Sequence, residues 1–329
     1  NAMCWGFAWE KGPFKMWDML GFKKVLNKMK ESGLIIPEWI LNMEKNGFFS
    51  FYILIKGEHF YYDKESKGYK KIELDSKRIS FSNYINNNKT IYKDWSASMI
   101  DIGDGVLGVE LHSVLKPDFN PLDGSIVSTL DKAVKWVKEN NYKGIVISGD
   151  GPNFSAGANL NLILNAAYRK EWDLIDVMTK TMQDTFQALR FAPFPIVAAP
   201  YGFVLGGGYE ICGSCDKIVA AAESYIGLVE VGMGIIPGAG GNLRMLSNVS
   251  ANIKTMMPGS FPIVQKVFET VGFAKVATSA KEAIKLSYLR KNDKFILNRA
   301  NLLYEAKNEV IKMSDNYISP EIEKFKLPG

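Results

Sequence analysis

The chain has 329 residues, 47% hydrophobic and 23% charged, with a net charge of +5 from 40 basic and 35 acidic side chains. This length fits about two domains, and the composition excludes wholesale disorder, collagen-like repeats and coiled coils. The mild positive excess suits an anionic small ligand and falls far short of a nucleic-acid-binding signature.

Asn1 and Ala2 ahead of Met3 read as a cloning remnant, and no charged-then-apolar leader follows them. Residues 14–32 place Met16, Met19, Leu20, Val25, Leu26 and Met29 at helical spacing, predicting one amphipathic helix ended by Ser32-Gly33. Pro37 fits the first position of a second helix, 37–46. Segments 49–55 and 60–62 are rich in aromatic and β-branched residues and flank Lys56-Gly57, predicting a hairpin. Residues 75–94 are polar, include Asn86-Asn87-Asn88, and predict a linker. The expected first domain, 1–95, is a small α+β module.

Beyond residue 100 the texture changes. Segment 106–111 predicts a strand, and Ile126, Val127, Leu130, Val134 and Val137 form a helical stripe. A short buried strand, 144–148, precedes a loop, 149–157, and a helix from Asn159. Trp172, Ile175, Met178, Met182, Phe186 and Leu189 mark one side of the next helix. Segments 195–199 and 217–222 predict two more buried strands, and the tail three helices at 262–271, 279–286 and 298–313. The longest apolar stretch, 195–208, is too short and too punctuated to span a bilayer. Strands alternating with helices predict an α/β core over 96–250, followed by a C-terminal helical region over 251–329.

The motifs narrow the chemistry. Gly103-Asp104-Gly105-Val106-Leu107-Gly108 spells the dinucleotide pattern G-x-G-x-x-G. That pattern needs a helix after it; residues 109–114 read as strand, so a turn is predicted and no NAD is expected. No phosphate-loop motif occurs either. Three cysteines make no disulfide scaffold and point to a reducing cytoplasm. Cys212 and Cys215 form C-x-x-C, but a zinc site needs four ligands. The other candidates are Cys4, His59 and His112, so the pair reads as packing residues and no metal is expected. With two histidines in the chain, acid–base chemistry falls to carboxylates.

Three glycine-rich clusters follow buried segments: Phe154-Ser155-Ala156-Gly157-Ala158-Asn159-Leu160, Leu205-Gly206-Gly207-Gly208-Tyr209-Glu210, and the run from Glu230 through Gly232, Gly234 and Gly238 to Gly241. Small residues let a ligand approach the backbone, and free N–H groups at a helix start attract a negative oxygen. Together the clusters predict two backbone donors and two carboxylates at one pocket. Two donors suit the oxyanion of a thioester enolate, and two carboxylates suit proton transfer.

On these three motifs, residues 100–245 resemble the crotonase (enoyl-CoA hydratase/isomerase) superfamily. The resemblance implies a spiral of ββα units that binds acyl-CoA, with coenzyme A as part of the substrate and no separate cofactor. It implies oxyanion donors at the amides of Ala158 and Gly207, adenine beside Ala156, catalytic Glu210 and Glu230, and a water held near Gly238. Asn159 stands where most hydratases carry Asp. Both glutamates favour hydration of a trans-2-enoyl-CoA to a (3S)-hydroxyacyl-CoA; a Δ3,Δ2-enoyl-CoA isomerase or a non-catalytic acyl-CoA-binding partner are the alternatives. The stretch from Gly6 to Phe14 with Trp17-Asp18 resembles the end of a 3-hydroxyacyl-CoA dehydrogenase. Segments 225–234 and 262–293 resemble bacterial and archaeal fusions of that dehydrogenase to a hydratase. The dehydrogenase's NAD-binding part has no counterpart here, so a fragment, a split gene product or a truncated piece is expected. Implied partners are further copies of the chain, as a trimer or hexamer, or a dehydrogenase subunit.

Overall fold

A computed structural model describes every residue except 1, 8, 56–57, 74, 253–260, 323 and 325–329. The chain forms two compact units, Asn1–Asp75 and Ser76–Gly329.

The first unit contains helices α1 (Ala2–Phe7), α2 (Pro13–Leu20), α3 (Phe22–Glu31) and α4 (Glu38–Lys45). An antiparallel sheet follows, of β1 (Tyr52–Ile55), β2 (Glu58–Asp63) and β3 (Gly68–Lys71). The single helix expected over 14–32 is two. Gly21 stands between them at φ 94° and ψ 115°, a left-handed conformation that no helix interior can use. Phe22, Leu26, Ile40, Met43, Phe51 and Tyr62 form the core. The Asp18 carboxylate accepts the amides of Phe51 and Tyr52 at 2.8 and 2.9 Å, tying α2 to the sheet. The expected hairpin strands pair; its Lys56-Gly57 turn lies outside the described residues.

The second unit begins with α5 (Phe81–Asn86), β4 (Thr90–Lys93), β5 (Ala97–Asp101), β6 (Val106–Leu111), α6 (Gly124–Asn140) and β7 (Gly144–Ser148). It continues through α7 (Leu160–Tyr168), α8 (Trp172–Arg190), β8 (Ile196–Ala198), β9 (Gly202–Leu205), α9 (Gly207–Ser214), β10 (Lys217–Ala221) and β11 (Ser224–Gly227). After a 3-10 turn, Glu230–Met233, come α10 (Gly241–Asn252), α11 (Phe261–Val271), β12 (Val276–Ala277), α12 (Ala280–Lys285), β13 (Lys294–Ile296) and α13 (Leu302–Ser314).

One seven-stranded sheet runs β13-β10-β8-β7-β6-β5-β4, and a three-stranded sheet runs β12-β11-β9. Strands β6, β7, β8, β10 and β13 pair in parallel, as expected where helices cover both faces. The same step recurs along the chain. A strand of the large sheet leads to a short second-layer segment and then to a helix. The second-layer segments after β6 and β7 include single bridges, Leu122 to Ala158 and Ser155 to Val204; those after β8 and β10 are β9 and β11. This is the spiral of ββα units expected from the sequence.

Two expectations need correction. The 75–94 stretch is no linker, and the boundary falls at Asp75/Ser76 rather than after residue 95. Phe81 is fully buried, and a Cβ on Gly108 would stand 2.4 Å from its ring. Asp150 accepts the amides of Phe81 and Ser82 at 3.1 and 2.8 Å, and β4 pairs with β5. One buried aromatic on a two-turn helix leaves too short a pattern for periodicity to register. The tail is also not purely helical: β12 and β13 complete the two sheets, while α13 packs over β7, β8 and β10.

Gly103-Asp104-Gly105 forms the turn between β5 and β6, and the residues after it are strand. Cys212 and Cys215 are buried at α9, and burial pushes both thiols well above their usual range. Among the described residues no helix is long and apolar enough to cross a membrane.

Candidate active site

The site is built where two glycine turns meet. In the loop from β7 to α7, Gly157 adopts φ 99°, and a Cβ there would stand 3.0 Å from the Leu205 carbonyl oxygen. The loop is pinned on both sides of Ala158. The Leu122 amide donates to Gly157 O at 2.8 Å, and the Asn159 amide to Leu122 O at 3.0 Å. In the loop from β9 to α9, Gly206 adopts φ 53° and donates its amide to Gly227 O at 2.8 Å. Positive φ at these two glycines aims the next amide, of Ala158 and of Gly207, away from its neighbours. Neither amide donates to another protein atom among the described residues. They are adjacent: a Cβ on Gly207 would stand 3.6 Å from the Ala158 nitrogen. Gly207 also opens α9, so its amide is one of the orphan donors at a helix start, where the dipole favours negative charge.

Glu210 follows one turn into α9 and is buried. Its Oε1 accepts the amides of Ala239 and Gly241, each at 2.8 Å. Burial raises its pKa, and the two amides oppose that rise in part. Glu230 stands in the 3-10 turn after β11. Both its carboxylate oxygens are buried and meet no hydrogen-bond partner among the described residues. Burial, and then the charge of Glu210, push it up to about 7, against a smaller opposing pull from the backbone amides of Glu230 and Val229. Its Oε1 lies 3.3 Å from where a Cβ on Gly206 would stand, beside the free amides.

Ala156, Ala158, Gly207, Glu210, Glu230 and Gly238 all line one cleft of about 930 Å³. The structure therefore brings together every site residue singled out in the sequence. The Ala156 amide is occupied by Phe119 O at 2.8 Å. The Gly238 carbonyl accepts from Gln183 Nε2 at 2.7 Å, while its amide has no protein acceptor among the described residues. Asn159 caps α7, accepting from the Asn161 amide at 3.2 Å.

Sequence reasoning missed the residues that hold the carboxylate: Ala239, Gly241 and, one contact further out, Gln183. Ala239 and Gly241 act through backbone amides, which carry no side-chain signature; the run Gly238-Ala239-Gly240-Gly241 was the available hint. Among the described residues, no group of three histidine, cysteine or acidic side chains could hold a metal ion.

The profile of the enoyl-CoA hydratase/isomerase family matches residues 101–257. The whole chain is 38% identical over 332 residues to a probable 3-hydroxyacyl-CoA dehydrogenase of Bacillus subtilis, covering 40% of that protein. It is 25% identical over 310 residues to a putative fatty acid oxidation complex trifunctional enzyme of Rickettsia prowazekii, covering 93% of this chain and 37% of that one. The chain thus spans about two fifths of the length of these curated relatives. Among solved structures, an enoyl-CoA hydratase from Bacillus anthracis superposes with a TM-score of 0.55 at 24% identity, over 67% of this chain and 77% of that one. An enoyl-CoA hydratase subunit I from Geobacillus kaustophilus superposes with a TM-score of 0.53 at 27% identity, over 67% and 76%.

Proposed function

Because residues 101–257 belong to the enoyl-CoA hydratase/isomerase family, the crotonase superfamily, we propose that the chain hydrates a trans-2-enoyl-CoA to a (3S)-3-hydroxyacyl-CoA. The observation that carries this reading is Glu230: two buried, unpartnered carboxylate oxygens beside two unpartnered amides.

The thioester oxygen would accept the amides of Ala158 and Gly207. Water attacks the β-carbon, the double-bond electrons move toward the thioester, and the oxygen gains enolate charge. Donors already aimed at that oxygen stabilise it without reorganising, and losing one costs about 10²–10³ in rate in other enzymes. Glu210, held by Ala239 and Gly241, would take the proton from the water. Glu230, protonated in a substantial fraction near neutral pH, would deliver one to the α-carbon. The free Gly238 amide is suited to hold the water. Ala156, at the edge of the cleft, would lie beside the adenine of coenzyme A. Hydration is redox-neutral overall, so the step calls for no NAD, and in this reading the two carboxylates supply its proton transfers.

In this reading the chain supplies the hydration step of a 3-hydroxyacyl-CoA dehydrogenase/enoyl-CoA hydratase system in fatty-acid breakdown, and dehydrogenation is carried elsewhere. Leu164, Tyr168, Trp172, Leu174 and Val177 are large apolar side chains exposed on α7 and α8, which supports burial of this face against another copy of the chain, in a trimer or hexamer, or against a dehydrogenase subunit. The deciding experiment is incubation of the chain with crotonyl-CoA and with a 3-enoyl-CoA. Conversion of crotonyl-CoA to the 3-hydroxy product is expected. Double-bond migration without hydration would replace this reading with an isomerase; binding without turnover would replace it with a carrier role.

A further inference from the structure

The two glutamates stand on separate elements, Glu210 in α9 and Glu230 in the turn after β11, and no hydrogen bond joins their side chains among the described residues. Their spacing is set from behind. Tyr288, which follows α12, is fully buried, lines no part of the cleft, and reaches both elements. Its ring meets that of Tyr209, the neighbour of Glu210, edge-on at 4.9 Å between centroids, and its carbonyl accepts the Tyr209 hydroxyl at 3.0 Å. Its own hydroxyl accepts the Leu228 amide at 3.2 Å, two residues before Glu230, and donates to the Lys275 carbonyl at 2.8 Å. A Cβ on Gly241 would stand 2.7 Å from Leu228 Cδ2 and 3.1 Å from Glu210 Oε1. The Leu228 side chain therefore backs the glycine whose amide holds Glu210, while its main chain runs on into Glu230. Tyr288 is itself held. Ser287 before it takes φ 66°, uncommon for a residue with a Cβ, and Asn248 of α10 donates to the Ser287 carbonyl at 3.0 Å. Such a backbone persists only where the surroundings over-determine it.

We propose that Tyr288 is a positioning residue for hydration, its hydroxyl and ring together setting the separation of Glu210 and Glu230. The proposal rests on the hydratase reading of the cleft and adds a residue outside it. The Glu230 side chain has no anchor of the kind that holds Glu210, so its place depends on the main chain that carries it. The Tyr288 hydroxyl ties down the start of that segment. Burial pushes the phenol up to about 12, so it keeps its proton through the neutral range and acts as a fixed bridge, not as an acid. Water addition needs both carboxylates placed at once, and a misplacement of about 1 Å can cost about 10²-fold.

The test is steady-state hydration of crotonyl-CoA by the full chain and its variants across neutral pH. Tyr288→Phe keeps the ring on Tyr209 and removes only the hydroxyl. Its kcat should fall by about 10- to 100-fold. KM should stay within about threefold, because the bond from the Gly206 amide to Gly227 O, which shapes the donor turn, is untouched. Glu210 and Glu230 are the titratable side chains that line the cleft among the described residues. A released Glu230 segment is less buried and further from Glu210, so the alkaline limb of kcat should move to lower pH. Asn248→Ala loosens the Tyr288 backbone without touching the ring or hydroxyl, and should move both readouts the same way by a smaller factor. It also carries the test should Tyr288→Phe fail to fold. Ser148→Ala removes another buried hydroxyl, bonded to Ala199 O at 2.7 Å away from the cleft, and should hydrate within about twofold of the parent. Parent kcat and an unmoved limb in whichever of the Tyr288 and Asn248 variants folds would overturn the role of Tyr288 alone. So would a rise confined to KM, or an equal loss in Ser148→Ala. A parent chain that does not hydrate crotonyl-CoA would overturn the hydratase reading and this proposal with it.

Discussion

Glu210 and Glu230 occupy opposite electrostatic situations within one cleft. Glu210 is anchored by two amides, which fix its direction and favour its anion; Glu230 is buried with no such anchor, and only the nearby backbone amides of Val229 and Glu230 weakly favour its anion. Glu210→Gln and Glu230→Gln preserve shape and hydrogen bonding but abolish proton exchange. Each should lower the hydration rate by about 10²–10⁴-fold at little cost to acyl-CoA affinity. Because both act in one addition step, the double variant should lose less than the product of the singles in steady-state assays. The pH dependence has a definite sign. Folding raises the Glu230 carboxyl from 4.5 to about 7, so the folded state binds its proton more tightly than the unfolded state does. That favourable contribution is complete below 4.5 and is lost as pH rises through about 7. Chemical denaturation should therefore find Glu230→Gln more stable than the parent above pH 7, with the gap shrinking toward the acid side. Gln183 acts one contact further out, bracing the Gly238 carbonyl from α8. In kinetic assays Gln183→Ala should lower kcat more than it raises KM, because the Ala239 and Gly241 amides that aim Glu210 follow directly in the same loop. A change in KM alone would assign Gln183 to substrate binding instead.

At the scale of elements, the site depends on how each helix is entered. Helix α9 is capped by Gly206, whose backbone no L-residue adopts cheaply, and the same turn frees the Gly207 amide. Gly206→Ala combines two penalties. Its backbone, at φ 53° and ψ −124°, costs about 1–3 kcal/mol for a residue bearing a Cβ. That Cβ would also stand 3.3 Å from Glu230 Oε1 and 3.5 Å from its Cδ, displacing the carboxylate. Urea titration should show the modest stability loss, while hydration should fall by far more than that loss explains. Full activity in Gly206→Ala would mean that neither the turn nor the Glu230 position matters to the reaction.

At the scale of the whole molecule, residues 76–95 belong to the catalytic unit. A chain starting at Ser76 retains α5, β4 and their contacts with Gly108, Asp150 and β5. It should fold and keep the hydration activity of the full chain. A chain starting at Ser96 discards Phe81, fully buried against the large sheet. Removing a buried phenylalanine side chain alone typically costs about 3–5 kcal/mol, so this shorter chain should melt well below the longer one. Equal melting temperatures in a thermal scan would show that α5 and β4 are dispensable to the unit.

What the amino-acid sequence determined by itself was local or compositional. Buried strand β7 is an almost continuous apolar run, and β6 is one broken only by Gly108 and Glu110, so their ends were legible to the residue. The glycine clusters marked both donor turns, because only glycine takes such backbone angles freely. The two acidic residues stood out in a chain with two histidines. What only the tertiary structure decided depends on partners distant in the chain. The break at Gly21, the docking of Phe81 under Gly108, and the strands β9, β11, β12 and β13 are short and lack a period of their own. The amide clamp on Glu210 comes from residues about thirty positions away, through groups every residue possesses. Which backbone donor remains free is fixed by which neighbours have found acceptors, and a linear sequence does not contain that information.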